Sequence, residues 1–94
     1  MSADLEYRLQ EETQRGERAR LLLADPLIAE AFDTIQQELM TAWQTSPARD
    51  TDGRETLWLS VKLLNQVKSH LQSVVETGHL AQIDLSRRGL SAPR

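Results

Sequence analysis

The chain contains no cysteine, and that absence removes disulfides, thiolate nucleophiles and thiolate metal sites together. Aromatic residues are nearly as scarce: Tyr7, Phe32, Trp43 and Trp58 make up 4% of the sequence, so a core must be built from Leu, Ile, Val and Ala. Three prolines and four glycines are too few for a low-complexity chain. No apolar run approaches the roughly 20 residues that a membrane-spanning helix needs, and no membrane is expected among the partners. The opening Met-Ser-Ala-Asp-Leu-Glu-Tyr-Arg is charged rather than a basic start to an apolar segment, and does not read as a secretory signal. The expected location is the cytoplasm of a host cell, or a virion. Positive charge is not in excess either. Eleven Lys and Arg against 14 Asp and Glu give a net charge of −3, so no global field attracts nucleic acid or anionic lipid.

What remains is a composition of helices: 39% hydrophobic and 27% charged residues over 94 positions, enough for one modest helical domain over 1–94. A first helix is expected over about 4–24. Its early Asp4 and Glu6 and late Arg15, Arg18 and Arg20 suit the helix dipole. Its apolar pattern is thin between Leu9 and Leu21, and Gly16 allows a break. Asp25-Pro26 is a start signal, a capping carboxylate followed by a proline at the first helical position. Behind it Ile28, Phe32, Ile35, Leu39 and Ala42 alternate steps of four and three, a heptad stripe for a second helix over about 26–44. The polar stretch from Thr45 to Gly53 reads as a loop, with Asp52 and Glu55 spaced like a capping box. Leu57, Val61, Leu64, Leu71 and Val75 continue the rhythm in a third helix over about 53–77, which Gly78 is expected to end. A short C-terminal segment over 79–86 and a basic tail over 87–94 follow.

The loop length favours an antiparallel hairpin of the second and third helices, with Leu39, Val61, Leu64 and Leu71 holding it together. Two helices alone leave part of each stripe wet. The first helix, poor in large apolar residues, reads as weak cover. The expected fold is therefore all-α, an antiparallel helical hairpin with an additional N-terminal helix, completed as a bundle by self-association. Val74, Val75, Leu80 and Ile83, on the overhanging end, are the candidate partner-binding residues, together with Trp43 and Trp58 beside the loop.

Chemistry is sparse. Asp50-Thr51-Asp52-Gly53 fails as a calcium loop, because Ala48 and Leu59 stand at the first and last ligand positions. His70 and His79 lack the helical spacing of a metal pair. Ser60, Ser69 and Ser73 have no evident His–Asp partner. No catalytic residue, metal or cofactor is expected, and the chain does not read as an enzyme. Arg15, Arg18 and Arg20 are the candidate phosphate-binding residues of an alternative reading, nucleic-acid or nucleotide binding, which neighbouring Glu11, Glu12 and Glu17 disfavour.

Three segments, Arg15-Gly16-Glu17-Arg18-Ala19, the run from Ser46 to Trp58, and Val75-Glu76-Thr77-Gly78-His79-Leu80-Ala81, resemble small helical proteins of tailed bacteriophages and prophages. The resemblance covers about Gly16 to Ala81 and brings no functional residues with it. It implies a viral origin, and with the hairpin it suggests a protein-interaction module, an accessory in virion assembly or packaging. Its partners would be further copies of itself or another phage or host protein, and inhibition of a host defence protein is a third reading.

Overall fold

The computed structural model describes residues 3–89, and these are all-α: α1 (Ala3–Ala24), α2 (Pro26–Thr45) and α3 (Thr51–Arg87). A single residue separates α1 from α2. Pro26 has no N–H to continue the first helix and its ring excludes the carbonyl of the turn before it. Asp25 restarts the ladder: its carboxylate accepts from the Leu27 N–H at 2.8 Å, and its carbonyl accepts from the Ala29 N–H at 3.0 Å.

The turn into α3 is shorter than the sequence suggests. Asp50, rather than Asp52, is the capping residue. Its carboxylate accepts from the Gly53 N–H at 3.1 Å, and its carbonyl from the Arg54 N–H at 3.0 Å. Asp52 instead lies in the first turn, where its charge faces the positive end of the helix dipole.

The larger difference concerns Gly78. The third helix was expected to end at Thr77, but α3 runs straight through Gly78 to Arg87, absorbing the segment expected over 79–86. The left-handed cap is Gly89, at φ 76°, with the Arg88 N–H reaching the Asp84 carbonyl and the Gly89 N–H the Ser86 carbonyl. The expected tail over 87–94 begins inside the helix and, from residue 90, lies outside the described residues.

Two compact units divide the described residues: 3–24 with 70–89, and 25–69. In the first, α1 lies antiparallel to the end of α3. Leu9 clusters with Ala81 and Leu85, with Leu5 packed beside them, while Gly16 meets Val74 and Gly78. Leu85 is wholly buried, although the sequence placed it in a marginal segment. The buried positions of α1 are Leu9, Thr13, Gly16 and Ala19, and those of α3 are Gly78, Ala81 and Leu85. Thr13 satisfies its hydroxyl by donating to the Leu9 carbonyl at 2.8 Å.

Small residues let the two backbones touch. A Cβ on Gly16 would stand 2.7 Å from the Gly78 Cα and 3.1 Å from the Val74 carbonyl oxygen. A Cβ on Gly78 would stand 2.7 Å from the Gly16 Cα and 2.8 Å from the Glu12 carbonyl oxygen. The glycine Cα hydrogens therefore point at the opposite helix's backbone, a geometry suited to weak C–H···O contacts. Gly16 neither breaks α1 nor weakens its cover. It supplies the cover by proximity instead of by side-chain size.

The second unit pairs α2 with the first part of α3 (residues 51–69). Ile28, Phe32 and Leu39 on α2, and Leu57, Val61 and Leu64 on α3, are half-buried. No residue of this unit is fully buried. Of the four residues expected to hold the hairpin, Leu39, Val61 and Leu64 lie here, and Leu71 is half-buried in the first unit.

Replacing glycine by alanine in an ordinary exposed helix gains about 1 kcal/mol. Gly16→Ala and Gly78→Ala should each do the opposite, costing about 1–3 kcal/mol net, because backbone atoms cannot rotate out of the way. Urea unfolding followed by helical circular dichroism checks the sign. Stabilisation by either change would mean that the helices part freely.

Candidate association surface

The hairpin unit carries most of the exposed apolar surface. Among the described residues, Leu27, Ile35, Met40, Trp43, Trp58, Leu59, Leu63 and Val67 are exposed in this unit, against Tyr7, Leu21, Leu22 and Leu80 in the other. Leu59, Leu63 and Val67, at 48%, 62% and 55% exposure, are spaced by four and form one ridge along α3. At 100° per residue, the ridge winds from the face opposite the half-buried Leu57–Val61–Leu64 stripe, at Leu59, to the flank of that stripe, at Val67, on the side away from Trp58. It widens the apolar arc of α3 well beyond what α2 covers. The sequence pattern contained this ridge, but the heptad rhythm drew attention to the neighbouring stripe alone.

Both tryptophans are exposed, and a cation covers a face of each. The Arg54 guanidinium carbon stands 4.1 Å from the Trp43 ring centre, and the Lys62 ammonium 4.4 Å from the Trp58 ring centre. Arg54 also closes the hairpin. It donates to the Ser46 hydroxyl at 3.0 Å and to the Trp43 carbonyl at 3.3 Å, where the last carbonyls of α2 have no further turn of helix to accept from. The Ser46 hydroxyl and N–H donate to the same Trp43 carbonyl, at 2.6 and 3.3 Å. A positive group is favoured at this end of a helix. Arg54 was not singled out from sequence, since nothing local links it to a residue eleven positions earlier.

The overhang expected at the end of the third helix is not left bare. Val74 and Val75 are half-buried in the first unit, where α1 supplies the cover that its sequence seemed too poor to give. Leu80 remains exposed at 65%, and lines a shallow groove with Leu9, Glu12 and Asp84. Ile83 is half-buried and borders another groove with His79 and Arg87. Trp43 and Trp58 belong to the hairpin unit, so the structure divides the six candidate partner-binding residues between the two units.

The candidate phosphate-binding residues are not gathered into a site. Arg15 and Arg18 are exposed, and Arg20 is bound to Glu17 through two hydrogen bonds of 2.9 and 2.6 Å. The hydrogen bond from Arg20 holds the Glu17 carboxyl below its ordinary pKa, and the carboxylate raises that of Arg20. The pair is fully solvated and contributes little to stability. Arg20 also borders a groove shared with Glu76, whose charge opposes an anion there. Among the described residues, no three His, Asp or Glu side chains lie close enough to hold a metal ion, and no helix is long and apolar enough to cross a membrane.

No described protein family, curated protein or solved structure matches this chain.

Arg54→Ala should lower stability by about 1–2 kcal/mol, since it removes both a ring contact and the hydrogen bonds that close the turn. Lys62→Ala, which removes an exposed ring contact alone, should cost less than about 1 kcal/mol. Urea midpoints of the two variants give the comparison, and equal losses would deny Arg54 its role in the turn.

Proposed function

We propose that this chain is a non-enzymatic helical module that acts by self-association through its hairpin unit. The observation that carries the reading is the contrast between the units. The first encloses Leu9, Ala19, Ala81 and Leu85, whereas the hairpin encloses no residue fully and exposes eight large hydrophobic ones. Burying a Leu or Val side chain contributes about 1.5–3 kcal/mol, so the Leu59–Leu63–Val67 ridge alone holds several kcal/mol that a single copy leaves unused. Apolar patches of this kind mark interaction surfaces more often than idle ones. Together with the resemblance to small phage proteins, the surface supports a role as an accessory in virion assembly or genome packaging.

The solution mass, from light scattering behind size exclusion over low to high micromolar loading, tests the proposal. The wild-type chain should give a defined assembly larger than one copy. The double substitution Leu63→Glu with Val67→Glu should reduce it to a single copy while leaving the helical signal intact, because both positions are exposed. A wild-type mass of one chain at every loading would contradict self-association.

A further inference from the structure

We draw no further inference here: the strongest candidate, the shallow groove between α1 and the end of α3 lined by Leu9, Glu12, Leu80, Ala81 and Asp84, carries nothing, because nothing in the structure shows what covers it.

Discussion

The backbone contact between Gly16 and Gly78 is the constraint on which the rest of the first unit depends. Each glycine costs its own helix about 1 kcal/mol in conformational freedom, and neither lies in a turn or has a positive φ. They are tolerated mid-helix because a single added carbon on either would collide with the opposite backbone. The close approach lets residues as small as Thr13, Ala19 and Ala81 become buried. It also brings Leu9 against Leu85, so that a helix with few large apolar side chains closes a core. Side-chain volume is replaced by proximity.

That solution cannot be extended along the chain. Asp25-Pro26 interrupts the ladder, and α2 begins a different kind of surface, with large residues on a heptad stripe and no glycine to bring it close to its partner. A hairpin of two such helices leaves each stripe half-covered. One α3 therefore serves two regimes. Its end is closed by a backbone contact, and its beginning carries apolar capacity that the chain does not use. Arg54 and Asp50 secure the turn between α2 and α3 without burying it, so the turn fixes the direction of the hairpin rather than supplying its missing core.

The sequence made the all-α class, the start of α2 and the half-buried stripes legible, because each rests on local signals: a capping carboxylate before proline, and apolar residues at steps of three and four. It misled at Gly78. A glycine after a periodic run marks a helix end when it adopts a left-handed conformation, and a helix crossing when another backbone arrives beside it. A single sequence shows both situations identically. What separates them is Gly16, 62 positions earlier, in register with Gly78 only once α1 lies antiparallel to α3. The same long-range fact made α1 look like weak cover and the region around Val74 and Val75 look exposed. The role of Arg54 in closing the turn was hidden for a related reason, since its partners Trp43 and Ser46 meet it only across the turn. Of the candidate surface, Trp43 and Trp58 were visible in the sequence, and the Leu59–Leu63–Val67 ridge was visible but overshadowed by the stripe next to it.

On the self-association reading, the first unit is complete in a single copy and the hairpin unit is not. Backbone hydrogen exchange, resolved along the chain and repeated at low and high protein concentration, tests it most directly. Protection over 3–24 and 70–87 should be independent of concentration, while protection over 25–69 should rise as the protein is concentrated. Protection that is concentration-independent over 25–69, or that rises instead over 3–24, would contradict the account.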